Sequence, residues 1–260
     1  MSERARHPSH DGHDHAHHDH TGHAHDHAGT EPEPSGWFAP IDAYCERVGA
    51  GLFDEPLNAI TNFAFLVGAV YLWRRSKADP HPGESRMLAV LLFLLGLGSL
   101  AFHTWAVRLT AILDTLGIVV FVTAFLVVAA RRVMGWSARG AGGVIAGWVA
   151  LSIGMGSICG GATCAYLPSV ASAGLLGLVT RRARPTASKL FFVACGVLVA
   201  SLVFRAIDLP LCELNPHGTH FLWHLCNAVT LCGRALARAC AESEAAESAG
   251  VPDQSANGSA

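Results

Sequence analysis

The chain has 260 residues, of which 51% are hydrophobic and only 15% charged, with a mean hydropathy of +0.36 and a formal net charge of -2. Soluble domains carry about a quarter charged residues, so this composition argues against a soluble globular protein. The slight negative balance gives no basis for a nucleic-acid partner.

The first segment, 1–40, is polar. Ten histidines fall within 7–27 (His7, His10, His13, His15, His17, His18, His20, His23, His25 and His27), interleaved with Asp11, Asp14, Asp19 and Asp26. Neutral imidazole is a good ligand for zinc, nickel and copper. A low-complexity tract of this kind builds no core, so 1–40 is expected to be a disordered tail that scavenges metal weakly. A solubilising tail is the alternative. No charged-then-apolar opening of the signal-peptide kind precedes it.

Residues 41–238 form the expected membrane domain. Apolar stretches of membrane-spanning length run over 56–73, 87–104, 109–130, 142–159, 163–180, 189–206 and 218–236. Pro168 interrupts the fifth, and the seventh is amphipathic, so a six-span count is the alternative. Lys and Arg mark the cytoplasmic loops of membrane proteins. Here Arg74, Arg75, Lys77 and Arg86 lie between spans one and two, Arg131, Arg132 and Arg139 between three and four, and Arg181, Arg182, Arg184 and Lys189 between five and six. Arg234 and Arg238 complete the set after the seventh, while the alternate loops carry only Arg108 and Arg205. The expectation is an all-α seven-span bundle with the N-terminus outside and the C-terminus inside. Residues 239–260, rich in Ala, Ser, Glu and Gly, are expected to be a disordered inner tail.

Polar groups at membrane depth are costly and usually functional. Ser99 lies four residues before His103, and His220 four residues before His224, which is the spacing of one helix face. On the expected topology Ser99, His103, Asp114, His220 and His224 all fall near the outer ends of their spans. Three histidines with an open fourth position make a catalytic zinc site, in which water becomes acidic near neutral pH and a carbonyl is polarised. Asp114 is placed to take and return the water's proton, and Ser99 to orient the water or the oxyanion. Histidines used only for helix–helix hydrogen bonds are the competing reading.

These stretches resemble a known family. GLGSLAFHTWAVRLTAILDTL around Ser99, His103 and Asp114, HFLWH over 220–224 and CERVGAGLFDEPLNAITN over 45–62 are similar to the signatures of alkaline ceramidases. That family lies within a superfamily of seven-span hydrolases that includes the adiponectin and progestin receptors. The resemblance implies zinc on His103, His220 and His224, catalytic assistance from Ser99 and Asp114, and a ceramide-like lipid cleaved at its amide.

The ceramidase calcium stretch resembles Asp-Trp-Cys-Glu-x-Asn, whereas here the run is Ala43, Tyr44, Cys45, Glu46, Arg47, Val48. Glu46 and Glu55 remain as possible calcium ligands, in a site that has lost oxygen donors. Asn58 and Asn62 are expected to satisfy helix contacts or to support the site from behind.

Of the eight cysteines, the resemblance favours a Cys45–Cys212 disulfide, which would leave Cys159 and Cys164 to clip the turn between spans four and five. Cys195, Cys226 and Cys232 are expected as free buried thiols, and spacing alone fixes no pairing.

The function expected is a zinc-dependent hydrolase of a membrane lipid amide, in a multi-pass protein of a bacterial inner membrane with its site toward the periplasm. A receptor-like metal or ligand sensor is the alternative, and a zinc transporter a weaker one.

Overall fold

The computed structural model describes residues 35–49, 51–159 and 161–250. The histidine tract, and with it the tail expected over 1–40 up to residue 34, lies outside them. So do residues 251–260.

Among the described residues eight α-helices form the bundle: α1 Pro56–Thr61, α2 Phe63–Arg75, α3 Pro82–Trp105, α4 Arg108–Arg132, α5 Ala138–Cys159, α6 Leu167–Thr180, α7 Pro185–Ile207 and α8 His220–Ser248. No strand occurs among the described residues, which carry one isolated bridge between Pro40 and Val107. Prolines set four starts, since a first-turn proline loses no hydrogen bond. Pro56, Pro82 and Pro185 open α1, α3 and α7, and Pro168 stands in the first turn of α6. Pro168 thus lies inside the apolar segment Ala162–Thr180, where a 3-10 turn gives way to α-helix. It stands just after the 3-10 turn over Ala162–Tyr166.

Among the described residues six segments are long and apolar enough to cross a membrane: Pro56–Ala78, Pro82–Trp105, Arg108–Arg132, Ala138–Cys159, Ala162–Thr180 and Pro185–Ile207. Their large apolar side chains point outward as well as inward, among them Val67, Leu94, Leu116, Ile153, Leu175 and Val203. In water such a surface would be far larger than a soluble monomer tolerates. It fits a multi-pass membrane protein.

The seventh expected stretch, 218–236, coincides with α8, whose composition is different. Its 29 residues include buried His220, His224, Asn227, Arg234 and Arg238. The helix is amphipathic because its polar face points into the bundle, where α7 packs along it most closely. Arg234 and Arg238 are 1% and 0% exposed. They are internal residues and not loop charges, which corrects their place in the Lys/Arg count.

Small residues bring α3 close to its neighbours, a common device between membrane helices. A Cβ on Gly98 would stand 3.1 Å from the Leu113 carbonyl oxygen, and one on Gly117 3.0 Å from the Leu95 Cα. This close approach sets Ser99 and Asp114 side by side. A tight turn joins α3 to α4. Ala106 adopts a left-handed φ of 42° there, a strained choice for a residue with a Cβ. The N-terminal segment holds the turn: Ile41 donates its N–H to the Ala106 carbonyl at 2.7 Å, and Arg108 donates to Ala39 at 3.1 Å.

At the end of the bundle away from the histidines, Arg238 donates to Asp79 at 2.7 Å, to Glu242 at 3.0 Å and to Ser85 at 2.5 Å. Ser85 also donates to Asp79. Glu244 accepts the backbone N–H groups of Thr186 and Ala187 at 3.0 and 3.1 Å, which satisfies orphan donors at the start of α7. These contacts explain why the expected inner tail is helical through Ser248. Glu242 and Glu244 have partners, and its alanines favour helix.

Cys45 and Cys212 are disulfide-bonded, which ties the N-terminal segment to the α7–α8 connection. Cys159 and Cys164 are free, so the second expected clip is absent. Cys159 ends α5 and Cys164 sits in the 3-10 turn beside it. Cys195, Cys226 and Cys232 are free and half-buried.

Candidate metal centre

His103 sits two residues from the end of α3, and His220 and His224 occupy the first two turns of α8. All three are at most 1% exposed. Each offers a ring nitrogen within 4.8 Å of the other two, a spacing that a single metal ion can bridge. Among the described residues this is the one cluster with metal-ligand spacing.

Each imidazole is held from behind. His103 Nδ1 lies 2.5 Å from Glu55 Oε2, so this nitrogen carries the proton and Nε2 presents its lone pair to the centre. A carboxylate behind a histidine is the usual means of fixing tautomer and ring orientation at a metal site. Glu55 is itself held by Arg47 Nε at 2.5 Å and Asn58 Nδ2 at 3.1 Å. Burial works to raise the Glu55 carboxyl, but the His103 contact, then Arg47 and Asn58, outweigh it and hold it below the ordinary glutamate range. It is therefore a carboxylate and accepts.

His224 Nδ1 lies 3.0 Å from Thr61 Oγ1, whose hydrogen goes to the Leu57 carbonyl at 2.7 Å. The ring nitrogen must then be the donor, which frees Nε2.

His220 is stacked on Tyr44, with ring centroids 3.6 Å apart. Its backbone N–H donates to Asp208 Oδ1 at 2.8 Å, beside the Thr219 N–H at 2.6 Å, and the Cys45 N–H reaches Oδ2 at 3.0 Å. Asp208 thus caps α8 and aims its first turn. Gly218 makes room for it. Its φ is +62°, and a Cβ there would fall 2.2 Å from Asp208 Oδ1.

Two buried nitrogens, His103 Nε2 and His220 Nδ1, find no hydrogen-bond partner among the described residues. Unpaired buried polar atoms are costly and call for an explanation. Three neutral imidazoles converging with lone pairs free are what a divalent ion with nitrogen ligands requires. The residues present fit such an ion.

Ser99 is buried one turn before His103. Asp114, half-buried on α4, lies beside Ser99 and within electrostatic reach of His103 and Arg205. All five residues expected at one depth are therefore brought together.

Glu46 and Glu55 are differently employed. Glu46 accepts the Leu57 and Asn58 N–H groups at 2.7 and 2.8 Å, which caps α1 from a distance. Glu55 supports His103. Of the expected supports, Asn58 holds Glu55, while Asn62 Nδ2 bonds the Asn58 carbonyl at 2.7 Å where α1 meets α2. Both behave as expected.

Five further residues complete the site: Tyr44, Arg47, Thr61, Arg205 and Asp208. Arg205 donates to the Tyr44 hydroxyl at 2.9 Å. Its guanidinium lies over the rings of Trp223, Tyr44 and Tyr166 at 5.2, 5.5 and 5.9 Å, a cation–π cage. Burial pushes the Tyr44 phenol above its ordinary range, against the opposing pull of Arg205. Arginine has no acceptor, so the Tyr44 oxygen accepts and its hydrogen is left to donate elsewhere. An arginine and an aspartate at the end of an apolar span carried the same signal as the histidines. For Tyr44, Arg47 and Thr61 no sequence pattern marked the role.

No protein-family model matches the chain, and no curated protein is found to match it.

Proposed function

We propose that the chain is a seven-span membrane hydrolase that uses zinc on His103, His220 and His224 to cleave the amide of a ceramide-like lipid, releasing a fatty acid and a sphingoid-type amine. The observation that carries this reading is the convergence of three backed imidazoles with Asp114 and Ser99 at one end of an apolar bundle. An all-histidine set with nitrogen ligands suits zinc among the common metals.

At 29 residues, α8 is about 44 Å long, enough to cross a hydrocarbon core of about 30 Å as the seventh span. The remaining Lys/Arg asymmetry supports an outside N-terminus and with it a site in the outer leaflet half; a bacterial inner membrane, with the site toward the periplasm, is the location that goes with this proposal.

Zinc bound there would make water nucleophilic near neutral pH and polarise the substrate carbonyl. The protein's own groups do the rest. Asp114 takes the proton of the attacking water as the new C–O bond forms. It then delivers that proton to the amide nitrogen as the C–N bond breaks. Ser99, beside Asp114, orients this carboxylate. Tyr44 keeps a free O–H, steadied by Arg205, and donates it to the oxygen on which negative charge develops. The outward apolar side chains leave the acyl chain in lipid or against the helix faces.

The test uses protein with and without residues 1–34, since the histidine tract is a separate source of metal. Tightly bound zinc near one per chain in both forms, and turnover of a lipid amide that chelation abolishes and zinc restores, is the expected result. Absence of bound zinc from the shorter form, or no turnover on a panel of lipid amides and esters, would sink the reading.

A further inference from the structure

A second polar constellation lies deeper in the bundle, beyond the candidate metal centre, with Tyr166 of the Arg205 cage on its near side. Arg234 is ten residues beyond His224 on α8, about 15 Å along the helix axis. It is 1% exposed. No carboxylate among the described residues pairs with it, although Arg47, Arg132 and Arg238 all have acidic partners. Its Nη2 donates to Ser172 Oγ at 2.7 Å, its guanidinium lies 4.6 Å over the Phe125 ring, and its Nε has no partner. One neutral hydroxyl and one ring recover only part of the cost of burying a charge.

Beside it is a cavity of about 20 Å³ lined in part by Arg234, Thr230, Asn227, Ser169 and Tyr166. Each polar group on this wall can donate a hydrogen bond. Thr230 Oγ1 is buried without a partner. Ser169 Oγ accepts from Trp148 Nε1 at 3.2 Å, so its own hydrogen is free. The Asn227 side-chain amide offers two more N–H groups. No Asp or Glu lines the cavity.

The geometry points to a binding site for a small monovalent anion of halide size, chloride being the natural occupant, held by Arg234 with Thr230, Ser169 and Asn227. Volume decides the size class. About 20 Å³ admits one water-sized particle and excludes a lipid headgroup or an acyl carboxylate with its chain. Charge decides the sign, since an unpaired cation surrounded by hydroxyl and amide donors lacks only a negative partner. The anion would neutralise Arg234 and tie α8 to α6.

The test uses the full chain in lipid nanodiscs at constant ionic strength, with gluconate, chloride, bromide or sulfate as the anion. Chloride and bromide should raise the melting temperature saturably over gluconate, by about 5 °C at a hundredfold excess over Kd, and bromide should give an anomalous scattering peak beside Arg234. Sulfate, too large and doubly charged, should give no saturable shift. Arg234→Met should abolish the halide response. If that variant does not fold, Thr230→Val should raise the halide Kd about tenfold, and the bromide peak in the unaltered protein remains decisive. Equal melting in gluconate and halide, the same shift with sulfate, a water in place of bromide, or a response surviving in Arg234→Met would each overturn the proposal. None of these readouts depends on zinc or on hydrolysis.

Discussion

Two buried polar regions sit at opposite ends of the bundle, and they solve the problem of burial differently. Around Arg238 unlike charges meet: its guanidinium is bonded to Asp79 and Glu242, with Ser85 between. Around His103 like groups meet, as three imidazoles turn ring nitrogens toward one centre. The first arrangement balances its charges without a ligand, although Arg238 Nε and Glu242 Oε2 find no hydrogen-bond partner among the described residues. The second is held rigidly from behind yet leaves His103 Nε2 and His220 Nδ1 unpaired. Burial is similar in the two regions, so burial alone does not mark function. What marks it is a set of well-supported groups that cannot satisfy one another.

Substitutions should separate the two regions. The largest effect is expected for Asp114→Asn, which keeps the shape but removes the proton acceptor. Hydrolysis of the lipid amide should fall by about 10³-fold or more, with zinc content per chain unchanged; near-normal turnover would remove Asp114 from the reaction. Next comes Arg238→Met. It leaves Asp79 and Glu242 buried without their cation, at about 3–5 kcal/mol, and the melting temperature should drop sharply. The protein that remains folded should hold zinc normally, and loss of zinc would show that the two ends are coupled.

Glu55→Gln should be milder. His103 keeps its place but loses the carboxylate behind it, so zinc affinity should fall by about 10–100-fold in a competition titration. If Glu55 were instead a ligand in a separate calcium site, zinc affinity would stay and a calcium response would vanish. Asp208→Ala is expected to be the smallest of the series. It removes the cap of α8, costing about 1 kcal/mol of stability, and loosens His220. A modest rise in zinc Kd with little change in the remaining ligands' contribution is the expected titration result.

All seven expected apolar stretches coincide with helices, because side-chain hydrophobicity over some twenty residues is a property of the local chain. The site residues were also visible there, since an ionisable group in an apolar run stands out one residue at a time. What was misjudged involved partners far away in sequence. The chain after residue 238 has a solvated composition, but Glu244 caps α7, 57 residues earlier. Arg234 and Arg238 have the charge of loop residues, yet the bundle closes over both. Cys159 and Cys164 are near in sequence and remain free.

The sequence by itself determined the helical stretches, the apolar surface and the identity of the five residues that meet at the candidate metal centre. Periodicity and hydropathy are local, and the i to i+4 spacing of His220 and His224 already places them on one face. Only the tertiary structure decided what stands behind them. Glu55 on His103, Thr61 on His224, and Asp208 and Tyr44 on His220 are separated from their partners by 48, 163, 12 and more residues. Hydrogen bonds across such distances depend on how the helices pack, and that packing rests on glycines at the α3–α4 contact and on one disulfide drawing the N-terminal segment over the site.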